Sequence, residues 1–243
     1  FIAFSILDFS KLKVTVAGGM ALQHAVADKW KKVTGIPVAE GYGLTETAPV
    51  TSCNCIDGTE RIGTIGIPVC NTEIGLFDEE GKQVAQGERG EIWIKGPQVM
   101  KGYWERPEET ANVFEGEWFK SGDVGVMQED GFFKIVDRIK EMILVSGFNV
   151  YPNEIEDVIA LHPKVMEVGV IGVPHPKSNE CVKAFVVKND DSLTTEEIIA
   201  HCREHLTSYK IPREVEFKTE LPKSPIGKIL RRVLKEENAK VVA

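Results

Sequence analysis

The sequence predicts a mixed α/β fold in two parts, and three observations carry that reading. Strand–helix–strand texture occupies residues 14–50, short strands punctuated by turns fill 60–136, and a second α/β block follows Asp137. The chain has 243 residues, 42% hydrophobic and 27% charged, which is an ordinary globular balance with enough length for more than one core.

Each element has a local cause. Val14-Thr15-Val16 is β-branched and ends at Gly18-Gly19. A helix is expected from Leu22 to Val33, stopped by Gly35, after which Pro37-Val38 leads into Gly41-Tyr42-Gly43. Turn clusters at 78–81, 87–90, Gly116 and 129–131 then separate strand-like runs, of which Glu91–Lys95 and Phe132–Val136 are the clearest. Their regular spacing suggests a small β-barrel-like or folded-sheet subdomain over 60–136.

The domain break is expected near Asp137, giving parts 1–136 and 137–243. Pro152 suits the first turn of a helix, Glu154 and Glu156 suit its positive end, and Pro163 stops it after His162. Val165–Ile171 alternates loosely and Val182–Val187 reads as a strand. Thr194 and Glu197 form a capping box for a helix reaching Leu206. Glu214–Lys218 alternates strictly, as an edge strand would, and Ile229, Leu230, Val233 and Leu234 stripe a terminal helix.

Composition excludes several classes. With 29 basic against 37 acidic residues the net charge is −8, which argues against nucleic acid as a partner. No apolar run approaches the ~20 residues that span a bilayer, so a membrane role is expected to be peripheral at most. The five cysteines (Cys53, Cys55, Cys70, Cys181, Cys202) are odd in number and lack zinc spacing, so reduced thiols in a cytoplasmic protein are expected. The chain begins at Phe1, and its opening lacks the basic segment and cleavage site of a signal peptide. It is therefore expected to be the later part of a larger protein, with Phe4 and Phe9 packed against a missing N-terminal portion.

Four strings carry possible chemistry. Gly41-Tyr42-Gly43-Leu44-Thr45-Glu46-Thr47 offers close backbone approach, hydroxyl donors for phosphate, a carboxylate for Mg²⁺ and a flat ring for a base. The simpler alternative is a Gly-rich turn with a cap. Asp123, in Trp118–Asp123, could chelate a ribose diol or merely form an Asx turn. Asp137-Arg138, beside Lys140, reads as a weak surface ion pair or as a hinge. Ser224-Pro225-Ile226-Gly227-Lys228 places a lysine after a glycine, either to meet an anion or as a solvated helix start.

In this order and spacing, the chain from Val14 to Lys235 resembles the C-terminal part of the acyl- and aryl-CoA synthetase, adenylation-domain and luciferase superfamily. The resemblance rests on Gly41–Glu46, Ser121-Gly122-Asp123, Asp137-Arg138 leading into Ile143–Gly147, and Pro222–Lys228. Two longer strings, Trp118–Arg138 and Met142–Glu156, look like bacterial long-chain fatty acid–CoA ligases. The implied fold is the end of a large adenylate-forming domain followed by a small α+β lid. The implied activity joins a fatty acid to CoA through an acyl-adenylate, consuming ATP with Mg²⁺.

The resemblance also assigns residues. Tyr42, between Gly41 and Gly43, would stack on adenine, and Gly18-Gly19 would lie along the base and acyl group. Thr45 would contact the α-phosphate, Glu46 would bind Mg²⁺, Asp123 would take the ribose hydroxyls, and Arg138 would assist there. Lys228 would bridge carboxylate and α-phosphate; Lys223 competes for that role, but Gly227 precedes Lys228 as in the family motif. Asp137 would be the hinge, flanked by Ile139 and Lys140. Ser146, Gly147 and Phe148 would meet CoA, glycine being suited because a side chain would narrow the pantetheine tunnel.

Some features depart from the pattern. A Ser/Thr/Gly-rich loop ending Pro-Lys-Gly is absent from the 243 residues. Ile139 stands where a basic residue is common, and Ala17 where close relatives often have glycine. The isolated chain is expected to make little thioester. The competing expectations are an acyl-AMP ligase or carrier-protein-loading domain, and a catalytically silent nucleotide- or acyl-binding module. The expected location is the cytoplasm, with peripheral association at the inner membrane face.

Overall fold

Two sheets are built before residue 136 and a third after it. The computed structural model describes residues 7–19, 22, 24–225 and 227–242. By its internal contacts the chain divides into two compact units, Phe1–Ile135 and Val136–Ala243. The first sheet contains β1 (Thr15–Ala17), β2 (Val38–Gly43), β3 (Val50–Cys53) and β4 (Ile67–Pro68) in that order. β1 and β2 are parallel with Thr15 opposite Val38, a pairing that needs a crossover, and α1 (His24–Thr34) supplies it. Lys31 and Lys32 occupy its last turn, and Gly35 at φ 76° ends it while donating its N–H to the Lys31 carbonyl.

Phe9 is half-buried and meets Trp30 of α1 edge-on at 6.3 Å. Phe4, paired with it in the sequence expectation, lies outside the described residues.

The second sheet comprises β5 (Glu73–Phe77), β6 (Arg89–Lys95), β7 (Phe114–Glu115), β8 (Trp118–Met127) and β9 (Phe133–Arg138), with α2 (Pro107–Asn112) before β7. Its order is β5-β6-β8-β7, with β9 also on β8. Among the described residues no strand pairing joins the ends of that path. Its core gathers Leu76, Ile92, Ile94, Phe119 and Phe133 around Ile65 and Tyr42. A bridge between Gly66 and Phe133 ties the two sheets together. β9 also runs further than Val136, so Asp137 and Arg138 sit on a strand and not in a linker.

The second unit holds β10 (Ile143–Val145), β11 (Phe148–Val150), α3 (Pro152–Ala160), β12 (Val165–His175), β13 (Asn179–Lys188), α4 (Thr195–His205), β14 (Glu214–Lys218) and α5 (Arg231–Val242). The strand order is β11-β10-β13-β12, and β14 runs parallel to β13 as its single described pairing, the edge position its alternation suggests. β12 and β13 form a long antiparallel pair whose two faces are both apolar. Val168, Val170, Val182, Ala184 and Val186 pack with Ile155 and Ile159 of α3 and with Ile198 and Cys202 of α4. Ile171, Val173, Cys181, Phe185 and Val187 pack with Leu221 and with Leu234 of α5. Burial on both faces explains why the β12 sequence alternates only loosely.

Two ends differ from the sequence expectation. α3 stops at Ala160, and α5 starts at Arg231, after Ile229 and Leu230. Ile229 instead pairs with Lys223 in a β-bridge and packs on the Leu234 cluster, whereas Leu230 is 36% exposed. Among the described residues no helix is long and apolar enough to cross a membrane. All five cysteines are free thiols.

The α4 start shows the capping box in full: Thr194 Oγ1 accepts from the Glu197 N–H and a Glu197 carboxylate oxygen accepts from the Thr194 N–H. Thr194→Ala should destabilise the second unit by about 1 kcal/mol, read from the midpoint of chemical denaturation.

Candidate nucleotide site and hinge

In the first unit the site is built on β2 and β8. Tyr42 projects from β2 into the core, and its hydroxyl donates to Asp123 Oδ2 at 2.6 Å. Both are nearly covered, at 8% and 3% exposure, so the pair is a charge-assisted bond in a dry setting. Asp123 is set by a bend in β8: Ser121 Oγ donates to the Ile92 carbonyl and accepts from the Asp123 N–H, and Gly122 at φ 73° donates to Glu91.

After β2 a 3₁₀ turn, Thr45–Thr47, presents Thr45 outward and buries Thr47. Thr47 Oγ1 closes the turn on the Leu44 and Pro49 carbonyls. Gly43 is needed here for a reason internal to the chain, because a Cβ would lie 1.7 Å from the Pro49 carbonyl oxygen. At Gly41 a Cβ would make only ordinary contacts. Gly18 and Gly19 follow β1 and are exposed.

Glu46 accepts a hydrogen bond from the Tyr103 hydroxyl at 2.8 Å. Burial first, then that bond and the Glu46 charge, push the Tyr103 phenol up to about 12, which keeps it a donor. Glu46, Tyr103, Glu91, Lys120, Ser121 and Gly122 line part of a cavity of about 350 Å³. Among the described residues no group of three or more His, Cys, Asp or Glu side chains is placed to hold a metal ion. Glu46 with the Thr45 hydroxyl is an all-oxygen set. That suits Mg²⁺, which is commonly held by one or two carboxylates with the rest from phosphate and water.

The second unit carries the hinge candidates. Asp137 is 2% exposed, which overturns the surface-pair reading. Its Oδ1 accepts from the Arg138 N–H and its Oδ2 from the Asn153 N–H, each at 2.8 Å. Arg231 is an ionic partner of Asp137, at 3.3 Å. The Arg231 fork also meets both Glu156 oxygens, at 2.9 and 2.5 Å, and the Asn153 side-chain oxygen. Burial pushes the Glu156 carboxyl up, against the pull of Arg231. Burial alone would lower Arg231, but its bonds to Glu156 and the nearby acids outweigh it and hold the guanidinium above its usual value. Ile139 and Lys140 are exposed in the 3₁₀ turn that follows.

Ser146 and Gly147, with φ of 52° and 86°, form the two-residue turn joining β10 to β11. Positive φ at both positions marks a type I′ hairpin, so Gly147 has a local cause that the sequence reading missed. Beyond its two neighbours, nothing among the described residues lies within 4 Å of where its Cβ would be. Phe148 is exposed and stacks on Tyr209 at 4.6 Å. Lys228 sits at the end of a loop closed by the Lys223–Ile229 bridge. The Ser224 N–H donates to the Lys228 carbonyl, and the Lys228 N–H to Ser224 Oγ. Its exposed ammonium has no described partner, whereas Lys223 is paired with Glu167.

Sequence reasoning missed Tyr103, Asn153, Glu156 and Arg231. Asn153 and Glu156 carried a faint signal, being three apart just inside a Pro-started helix and therefore on one face. Arg231 and Tyr103 carried none, since their partners are 75–94 and 57 residues away.

The chain is similar to known proteins over most of its length. One family model, described as AMP-binding enzyme, matches residues 3–104, and a second, described as AMP-binding enzyme C-terminal domain, matches residues 154–228. The chain belongs to the AMP-binding enzyme family. Over 98% of its length this family member is 57% identical to a long-chain-fatty-acid–CoA ligase of Yersinia pestis. The match spans 42% of that protein, so the chain corresponds to less than half of such a relative. Among solved structures, ATP-bound MatB from Rhodopseudomonas palustris superposes with a TM-score of 0.88 at 34% identity, over 95% of this chain and 46% of that one. The amide bond synthetase McbA from Marinactinospora thermotolerans gives 0.86 at 33%, over 97% and 49%.

Two outcomes are expected for this AMP-binding family member. Tyr42→Phe leaves the buried Asp123 without its hydroxyl donor and should cost about 1–3 kcal/mol in equilibrium unfolding. Gly147→Ala should cost about 1–2 kcal/mol, because a Cβ resists the left-handed conformation of the hairpin turn.

Proposed function

We propose that these 243 residues are the nucleotide-closing and lid portion of an ATP-dependent long-chain fatty acid–CoA ligase. The observation that carries the reading is the high identity to the long-chain-fatty-acid–CoA ligase of Yersinia pestis along almost the whole chain. In the proposed reaction a fatty carboxylate attacks the α-phosphate of ATP, forming acyl-adenylate and releasing pyrophosphate. The CoA thiol then attacks the acyl carbonyl and AMP leaves. Two anions must meet in the first step, so positive charge and alignment dominate it.

In this reading Tyr42 offers its ring to adenine while its hydroxyl orients Asp123 toward the ribose, with Arg138 assisting. Gly18, Gly19, Gly41 and Gly43 give the backbone close approach to the nucleotide. Thr45 donates to the α-phosphate and Glu46 holds Mg²⁺, which neutralises phosphate charge when bound. Lys228 neutralises the reacting oxygens. Its exposed ammonium, without a partner among the described residues, supports that assignment over Lys223, which Glu167 already occupies. Asp137, with Ile139 and Lys140 beside it, is the hinge, and Ser146, Gly147 and Phe148 face the CoA arm.

The 243 residues are proposed to act within a longer polypeptide that supplies the phosphate-binding loop and the acyl tunnel. The likeness to an amide bond synthetase gives a second reading a specific basis: the acyl-adenylate could pass to another acceptor.

The test incubates the longer polypeptide with ATP, Mg²⁺, CoA and acids from acetate to oleate, and identifies products by mass spectrometry. Long-chain acyl-CoA with AMP is expected; acyl-adenylate accumulating without thioester would favour the second reading. Lys228→Ala should lower adenylation by roughly 100-fold or more while the KM for ATP changes little, whereas a silent binding module would show no catalytic defect.

A further inference from the structure

Arg231 is absent from the roles assigned above, yet it is ion-paired with both Asp137 and Glu156. It is the first residue of α5 and lies three positions after Lys228. A positive charge at a helix N-terminus opposes the helix dipole, and this one is also largely buried, its side chain 13% exposed. Both placements are unfavourable, so the acceptors around it must offset them. Those acceptors are Asp137 at the end of β9, and Asn153 and Glu156 on α3.

Glu156 also accepts from the Val170 N–H at 2.7 Å, which fixes it against β12. Asp137 is held in turn by the Asn153 N–H, while Asn153 Nδ2 donates to the Val136 carbonyl at 3.0 Å. The guanidinium is therefore a junction between the hinge residue, one helix and the start of another. On the far side of that junction the chain has little freedom. Ile229 is packed and bridged to Lys223, and the Leu230 N–H donates to the Pro222 carbonyl at 2.8 Å. Lys228 immediately precedes this fixed stretch.

We propose that Arg231 is a positioning residue that locks the Lys228 loop to the hinge aspartate, so that a rotation at Asp137 carries the lysine as part of one rigid body. This rests on the functional reading of Lys228 and Asp137 given above. The planar fork is required because it serves three acceptors in fixed directions. A lysine keeps the charge but, as a single point donor, cannot hold Asp137, Asn153 and Glu156 together. Arg232 next to it is the natural control, 84% exposed and only loosely paired with Glu236.

The experiment uses the longer polypeptide and measures two steps separately: pyrophosphate release during adenylation, and thioester formation from synthetic acyl-adenylate plus CoA. Arg231→Lys should slow adenylation roughly tenfold or more, with the KM for ATP and the thioester step each within about threefold of wild type. Glu156→Gln should slow the same step by a smaller factor, because one carboxylate oxygen becomes a donor facing Arg231. Arg232→Lys should leave both steps unchanged.

A wild-type adenylation rate in folded Arg231→Lys overturns the proposal, as does an equal fall in both steps. Should Arg231→Lys fail to fold, Glu156→Gln decides: selective slowing of adenylation supports the tie, and equal or absent slowing overturns it. Lys228→Ala run in parallel separates the two levels. A defect there without one in Arg231→Lys removes only this proposal, and no defect in either removes the functional reading with it.

Discussion

The second unit depends on one buried cation. Removing a guanidinium and two carboxylates from water costs several kcal/mol per ion, and the cluster repays this only because nearly every direction of the fork finds an acceptor. A buried ion network of this kind contributes little net stability compared with apolar packing, but it tolerates few geometries. Here it ties together the end of β9, the first turns of α3 and the start of α5. The two cores on either face of β12 and β13 supply the burial energy, and the cation supplies the register between the elements around them.

The first unit uses a related device. Tyr42 is both a core ring and the donor to a buried carboxylate 81 residues away, so one side chain joins hydrophobic packing to the polar face of the candidate site. Losing either role disturbs the other, and this makes the position of Asp123 a property of the core. The Glu46–Tyr103 bond spans 57 residues and links the turn after β2 to the segment between β6 and α2. Both arrangements hold carboxylate oxygens in defined places.

Much of the local structure was legible because its causes are local. The Thr194–Glu197 box, the Gly35 stop, the turn clusters and the alternation of β14 act over a few residues, and each was found where it was read. Boundaries slipped where tertiary pairing overrode the local signal. β9 runs on through Asp137 to Arg138, and α5 starts late, with Ile229 taken into a bridge with Lys223. The loose pattern of β12 concealed a long two-sided strand, since burial on both faces erases the period of two that marks a half-exposed strand.

The sequence by itself determined the kinds of elements, their order, the change of texture near residue 137 and the motif positions that mark the family. It could do so because propensity, capping and turn chemistry are short-range, and because motif spacing is visible without folding. Only the tertiary structure decided which residues hold the candidate groups in place. It brought Arg231 to Asp137, gave Gly43 and Gly147 causes inside the chain, and paired Lys223 while leaving Lys228 exposed. Those outcomes rest on contacts between residues far apart in the chain, and no pattern along one dimension records which distant charge the fold will bring to a buried carboxylate.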